Sequence, residues 1–386
     1  MSKTTTDEPI RIGLLFSTTG VASTMESSMM KASLFAVEEI NDSGGVNGRE
    51  LQAVHYDPGS KNSNYREYAD RLITEDKVKI ILGCYMSSSR KAVLTVVERQ
   101  NALLMYPAQY EGFEFSRNII YTGAAPNQNS RQLGEYLLQN VGTRFYMVGS
   151  DYIWPWEADR VMSEMLDNRS GSVVGERYLK LDAKRKAFDT LVRDIKKQSP
   201  DAIFCNFVGE SITHFYQAYA EAGLDSKTMP IASLTTSETD IQAMGNAAGK
   251  GHYTAATYFQ SVDNPVNKTA VSRYQDRYGA SELTNMCWDS AYFQVHVLAN
   301  AIRNSGSEDR EVLCRSILGM ELDAPQGRVR IDPDNHHTYV WPRVGRAMED
   351  GQFEILVEPS QSVKPDPYLA NHYPNRWATD TTTKTV

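Results

Sequence analysis

Four short segments of this chain gather hydroxyls, aromatic rings and amides in a way that suits a grip on a small polar molecule. They are Tyr85-Met86-Ser87-Ser88-Ser89, Tyr106-Pro107-Ala108-Gln109-Tyr110-Glu111-Gly112, Gly149-Ser150-Asp151-Tyr152-Ile153-Trp154-Pro155-Trp156 and Ser233-Leu234-Thr235-Thr236-Ser237-Glu238. The chemistry on offer is recognition: tyrosine rings supply walls, and hydroxyls and the Gln109 amide supply orienting hydrogen bonds. Ser88 or Ser89 also reads as the cap of a following helix, whose first-turn N–H groups suit a carbonyl or carboxylate oxygen. Each segment has a plain structural reading as well: a proline turn, aromatic packing beside proline, or helix capping at Ser237. Four such turns together make a shared binding cleft the stronger expectation.

Signatures of catalysis are missing. Gly245-Asn246-Ala247-Ala248-Gly249-Lys250-Gly251 has the flavour of a phosphate loop. It lacks one spacer residue and the Ser/Thr that would hold magnesium, so it reads as an exposed loop. The chain has no Gly-x-Ser-x-Gly elbow, no His-Glu-x-x-His and no dinucleotide glycine fingerprint after the first strand. No Ser or Cys shows a paired base, and Lys250 or Glu111 alone makes no triad. Cys84, Cys205, Cys287 and Cys314 form no Cys-x-x-Cys pair and sit at no zinc-ligand spacing, so they read as buried free thiols. Adjacent His336 and His337 do not converge easily on one metal; a surface or structural role is expected. The expectation is a binding protein, not an enzyme, with no cofactor.

The elements that must position these turns come next. Apolar runs at Ile12 to Phe16, Leu51 to Tyr56, Val78 to Leu82, Leu103 to Met105, Phe145 to Val148, Ser172 to Tyr178, Ala202 to Cys205 and Pro230 to Ser233 read as strands. Helix-period stretches lie between them: Met30, Leu34, Val37 and Ile40, ended by Gly44-Gly45; a charged helix from Tyr65 to Glu75; then Val93, Val96 and Val97. Further helices are expected around Glu157 to Met165, at Phe188, Leu191, Val192 and Ile195, from Ile212 to Ala222, and from Trp288 to Ile302. Val329 to Ile331, Tyr339 to Val344 and Phe353 to Val357 look like closing strands. This β–α alternation implies parallel sheets with helices on both faces, and ligands bind such sheets beyond the carboxyl ends of the strands.

The chain has 386 residues, above the size at which one core usually divides. Its β–α units are too many for one ordinary sheet, so two doubly wound α/β lobes are expected. A net charge of -8 disfavours a nucleic-acid backbone as partner. No run approaches the ~20 apolar residues that span a bilayer. The first residues lack the basic start and apolar stretch of a secretory leader. A cytoplasmic location is therefore expected, with the periplasm or cell surface as the alternative if a leader was removed.

Several strings resemble a known family, the amide sensors of aliphatic amidase operons. They are Gly83-Cys84-Tyr85-Met86-Ser87 with Arg90-Lys91-Ala92-Val93, Tyr106-Pro107 with Tyr110-Glu111-Gly112, and Ala125-Pro126-Asn127-Gln128-Asn129. Gly149-Ser150-Asp151-Tyr152-Ile153, Ile231 through Glu238, Asp323-Ala324-Pro325-Gln326-Gly327 and Pro365-Asp366-Pro367-Tyr368 continue the likeness, which runs from about Ile12 to Trp377. The same stretches resemble the binding subunits of urea uptake transporters. Both groups share the type I periplasmic-binding-protein fold.

The resemblance implies two doubly wound parallel-sheet lobes joined by a three-crossover hinge, with the ligand between them. Residues 1–122 and 257–329 would form the N-terminal lobe, and 123–256 and 330–386 the C-terminal lobe. It implies ligand contacts from Tyr85, Ser87, Tyr106 and Tyr152, with support from Thr235 and Thr236. Where the amide sensors carry Thr-Pro, this chain has Ala108-Gln109, and a Gln there is the urea-binder pattern. Trp154 replaces a smaller aromatic and would narrow the pocket. The implied ligand is a short aliphatic amide or urea. The implied partner is an RNA-binding antitermination regulator in the sensor reading, or an ABC permease in the transport reading. No direct nucleic-acid contact or membrane segment is implied, and a homodimer is a possible assembly.

Overall fold

The computed structural model describes residues 8–370. Residues 1–7, on which the expectation about a leader rested, and Trp377, where the resemblance ends, lie outside them. The first half builds β1 (Ile10–Leu15), α1 (Ser23–Asp42), β2 (Leu51–His55), α2 (Asn62–Thr74), β3 (Ile80–Gly83), α3 (Ser87–Arg99), β4 (Leu103–Tyr106) and β5 (Ile119–Tyr121). Their strands form one parallel sheet in the order β2-β1-β3-β4-β5. Strands covered on both faces read as unbroken apolar runs, which is why Ile80-Ile81-Leu82 and Leu103-Leu104-Met105 are buried at every position.

A second α/β unit follows: α4 (Ser130–Asn140), β6 (Arg144–Ser150), α5 (Ile153–Asp167), β7 (Ser172–Leu179), α6 (Arg185–Gln198), β8 (Ala202–Asn206), α7 (Glu210–Glu221), β9 (Ile231–Ser233), α8 (Glu238–Met244), α9 (Asn246–Gly249) and β10 (Tyr253–Ala256). The chain then returns through α10 (Pro265–Tyr278), α11 (Met286–Ser305), α12 (Arg310–Ile317), β11 (Glu321–Ala324), β12 (Gly327–Ile331) and β13 (Thr338–Tyr339). It ends in β14 (Arg343–Ala347) and β15 (Phe353–Val357), which join the second sheet in the order β15-β14-β10-β9-β8-β6-β7. Phe35 of α1 meets Tyr274 of α10 and Trp288 of α11, so the returning helices pack on the first unit. The chain thus passes between the units three times, after β5, after β10 and after β13.

The fold class stands as expected, with differences in detail. The second sheet is mixed: β14 and β15 run antiparallel, joined by a tight turn through Gly351 at φ +84°. Strands β11 to β13 make a separate small antiparallel sheet. The single strand expected from Tyr339 to Val344 is two strands in different sheets, because Pro342 between them has no N–H to give a ladder. The expected loop Gly245–Gly251 holds the one-turn helix α9, with Gly249 buried against Ile241. On α1 the buried face is broader than the stripe of Met30, Leu34, Val37 and Ile40. Met29, Ala32, Phe35 and Ala36 are buried, whereas Met30 and Leu34 are half-buried, because α10 and α11 cover a second side. Helix α6 follows its sequence closely: Phe188, Leu191, Val192 and Ile195 are its buried residues.

The histidine pair is buried rather than at the surface. His337 lies flat on Tyr121, ring centroids 4.1 Å apart, and its Nε2 meets the Tyr110 hydroxyl at 2.5 Å. Its Nδ1 faces the Asn335 carbonyl, so that nitrogen donates and Nε2 accepts. All four cysteines are buried and free. Among the described residues, no helix is long and apolar enough to cross a membrane.

Candidate functional site

The four turns picked out in the sequence end strands β3, β4, β6 and β9, two from each sheet. They face one another across the junction of the units. The Gln109 side chain, after β4, donates through Nε2 to the carbonyl of Leu234, after β9. The Arg160 guanidinium on α5 sits 5.1 Å from the ring centre of Phe113. Asn285 Nδ2, at the start of α11, reaches Ser28 Oγ at 3.0 Å and Thr239 Oγ1 at 3.3 Å on α8. Gly209 has φ +60° and touches Val21: an added Cβ would lie 1.9 Å from the Val21 carbonyl oxygen, so only glycine fits. The two units are therefore closed on each other.

Tyr85, Tyr106 and Tyr152 come together in this junction. Burial lifts all three phenols above their ordinary range. Tyr85 lies in the field of Cys287, Tyr152, Asp240 and Tyr106, and Tyr152 in that of Tyr106, Glu111 and Arg90. The Tyr106 hydroxyl donates to the Tyr85 carbonyl at 2.6 Å. Tyr152 is half-buried, whereas Trp154 is almost fully buried. Ala108 is buried beneath Gly123, whose backbone runs so close that a Cβ there would lie 2.1 Å from the Ala108 carbonyl carbon.

Ser87 opens α3, but its hydroxyl does not cap the helix. It is held between Glu111 Oε2, to which it donates, and Arg90 Nη1, from which it accepts at 3.2 Å. Ser89 turns its hydroxyl back onto the Met86 carbonyl at 2.7 Å, so the expected serine cap is not formed. The N-cap position is Met86, and no side-chain oxygen accepts the first-turn N–H groups of α3. Across the cleft, Thr235 Oγ1 donates to the Phe207 carbonyl at 2.8 Å, and Thr236 Oγ1 pairs with the Tyr216 hydroxyl at 3.0 Å. Ser237 does begin α8 as expected: Asp240 Oδ2 accepts its N–H at 2.9 Å and its hydroxyl at 2.6 Å.

The sequence reading passed over an ionic cluster at the floor of this site. Arg90 is fully buried, its Nη2 2.9 Å from Glu111 Oε1 and its Nε 2.7 Å from Glu114 Oε1. The guanidinium stacks over Tyr106 and Tyr110 at 5.0 and 4.7 Å from the ring centres. Burial alone would lift Glu114, but Arg90 and Lys91 outweigh it and hold the carboxyl down at about 2. Spacing gave a signal: Arg90 falls on the face of α3 that carries Val93 and Val97, all buried.

Comparison with known proteins agrees with this architecture. A profile described as "Periplasmic binding protein domain" matches residues 10–374. A leucine-, isoleucine-, valine-, threonine- and alanine-binding protein of Pseudomonas aeruginosa is 24% identical over 333 residues, 84% of this chain and 86% of that one. A shorter match, 30% identical over 128 residues, is to a protein described as limonene hydroxylase from Geobacillus stearothermophilus; it covers 33% of this chain and 23% of that protein. Among solved structures, an ABC-transporter solute binding protein from Rhodopseudomonas palustris BisB5, in complex with 3,4-dihydroxybenzoic acid, superposes with TM-score 0.83 at 20% identity. The match covers 93% of this chain and 99% of that one. A branched-chain amino acid transporter substrate binding protein from Streptococcus pneumoniae, in complex with isoleucine, gives TM-score 0.81 at 18% identity, covering 91% and 100%. With a family profile spanning nearly the whole chain and both α/β units, the protein belongs to the periplasmic binding protein domain family.

Proposed function

We propose that the protein binds a short aliphatic amide or urea in the cleft between its two lobes, as a solute-binding component of the ABC-transporter type. The observation that carries the neutral ligand is the state of Arg90. This cation at the cleft floor is already clasped by Glu111 and Glu114, so a ligand carboxylate meets no spare partner there. The proposed contacts are Tyr85, Ser87, Tyr106, Ala108, Gln109, Tyr152, Trp154, Thr235 and Thr236. The walls they make are aromatic, with a few directed polar atoms, as small-molecule sites usually are. We assign the lobes to residues 1–122 with 257–329 and 123–256 with 330–386. Ligand acts by favouring the closed arrangement over the open one.

The relatives' descriptions favour delivery to a permease, and with it a periplasmic location. The expected cytoplasmic location finds no support in them. The second reading is a sensor that releases an RNA-binding regulator on closure. It rests on Tyr85-Met86 and Ser233-Leu234-Thr235-Thr236-Ser237, which follow the amide-sensor pattern.

A calorimetric and thermal-shift panel tests the ligand class: formamide, acetamide, propionamide, butyramide, urea, isoleucine and 4-hydroxybenzoate. A ligand at 100 times its dissociation constant stabilises the fold by about 2.7 kcal/mol. Response to amides or urea alone supports the proposal. Response to isoleucine or 4-hydroxybenzoate alone overturns it.

A further inference from the structure

The hydroxyl of Ser87 has one proton and two lone pairs. Arg90 Nη1 can only donate, so it occupies one lone pair at 3.2 Å. The Glu111 carboxylate can only accept, so it takes the proton. One lone pair remains, and Ser87 can act on a third group only as an acceptor. Tyr106 is in the same position, because its proton goes to the Tyr85 carbonyl at 2.6 Å. Two other hydroxyls, of Tyr85 in the same turn as Ser87 and of Tyr152, differ. The hydroxyls of Tyr85 and Tyr152 have no hydrogen-bond partner among the described residues. Tyr152, which follows β6 of the second sheet, lies in the field of both Glu111 and Arg90.

We infer that Glu111 is a specificity-determining positioning residue: by taking the proton of Ser87 it makes the Ser87–Tyr106 side of the cleft an acceptor pole that reads ligand N–H groups. Tyr85 and Tyr152 form the matching donor pole for the ligand carbonyl. A primary amide or urea satisfies both poles, whereas a ketone of the same shape satisfies one. The inference rests on the proposed ligand class and says how that class is selected.

The test compares acetamide with acetone, which replaces the NH2 group by a methyl, in competition calorimetry on the intact chain. The wild type binds acetamide at least about 100-fold tighter than acetone, since a site built to bond an N–H leaves its acceptors unpaired with the analogue. Glu111→Gln keeps an oxygen for Arg90 but presents an NH2 to Ser87, which turns the serine proton towards the cleft. Its acetamide-to-acetone ratio falls by about tenfold or more. Circular dichroism reports whether this variant folds. If it does not, Ser87→Ala tests the same pole, and its ratio falls likewise. A folded Glu111→Gln with the wild-type ratio overturns the role of Glu111, and an unchanged ratio in Ser87→Ala overturns the acceptor pole. Wild type that binds acetamide and acetone alike overturns the pole while leaving the ligand class standing. Wild type that binds neither acetamide nor urea overturns both.

Discussion

Two groups of buried carboxyls differ in one respect. Glu111 and Glu114 have Arg90 between them. Glu26 and Glu238 have only hydroxyl and backbone donors: Glu26 accepts from Ser17 N–H at 2.8 Å and from the Tyr65 hydroxyl, and Glu238 accepts from Gln260 N–H at 2.7 Å. Burial penalises charge in both groups. With a cation in contact, Glu114 is held at about 2; without one, burial pushes Glu26 and Glu238 up to about 8. Neutral donors at good distances do not replace a counter-ion, because they offset only part of the desolvation of a carboxylate. At neutral pH Glu114 is therefore ionised opposite Arg90 and Lys91, whereas Glu26 and Glu238 are largely protonated and uncharged.

The largest effect should come from breaking the ionic group. Arg90→Met leaves two buried carboxyls with only the half-exposed Lys91 as counter-ion, and breaking a buried pair from one side costs roughly 3–5 kcal/mol. Urea denaturation at pH 7 measures it. The pH dependence separates charge from packing. Glu114 has a folded-state pKa depressed from 4.5 to about 2, so its contribution is complete above 4.5 and is lost as pH falls from there towards 2. The deficit of the variant should therefore shrink below about pH 4.5. A deficit equal at pH 7 and pH 3 would assign the loss to the stacking of Arg90 on Tyr106 and Tyr110 instead.

The second group should respond with the opposite sign. Glu26 has its folded-state pKa raised from 4.5 to about 8, so the folded state holds a proton that the unfolded state releases. Stability then falls as pH rises from about 4.5 to about 8 and levels off above that. Glu26→Gln removes this term, and the decline in melting temperature between pH 5 and pH 8 should become shallower. It should not vanish, because Glu238 is raised in the same way. A slope identical to that of the wild type would mean that Glu26 is ionised in the folded protein, and the contrast between the groups would fail.

This contrast also marks where the sequence stops being legible. The parallel strands, the long helices and the four turns beyond the strand ends could be read because each depends on local pattern: an apolar run, a 3.6-residue stripe, a hydroxyl beyond a strand. The partner of a buried charge is not local. Ser87 and Glu111 stand 24 residues apart and meet only because β3 and β4 are neighbours in the sheet. Ser88 and Ser89 looked like caps because capping is the usual fate of serine before a helix. Nothing in the order of residues says that the hydroxyl of Ser89 turns back to Met86. The strand expected across Pro342 failed for another reason. Apolar residues on both sides of the proline satisfy the pattern, while the missing N–H and the change of sheet are set by topology. The His336-His337 pair is too short to carry a period, so its burial against Tyr110 and Tyr121 was invisible.

The smallest effect should come from Gln109, where the lobes meet through a neutral bond rather than an ionic one. Its amide donates to the Leu234 carbonyl across the cleft, and its oxygen lies 3.4 Å from Asn129 Nδ2. A neutral hydrogen bond of this kind contributes about 0.5–1.5 kcal/mol net. Gln109→Ala should leave each lobe folded, because the bond joins the lobes and lies inside neither. It should instead make closure less favourable, so a ligand that prefers the closed form loses affinity by the same free energy, about two- to tenfold. Titration with both urea and acetamide decides what the residue does. An equal loss for the two ligands assigns Gln109 to closure. A change in their ratio assigns its amide to the ligand itself, because closure is common to both while the second NH2 of urea is not.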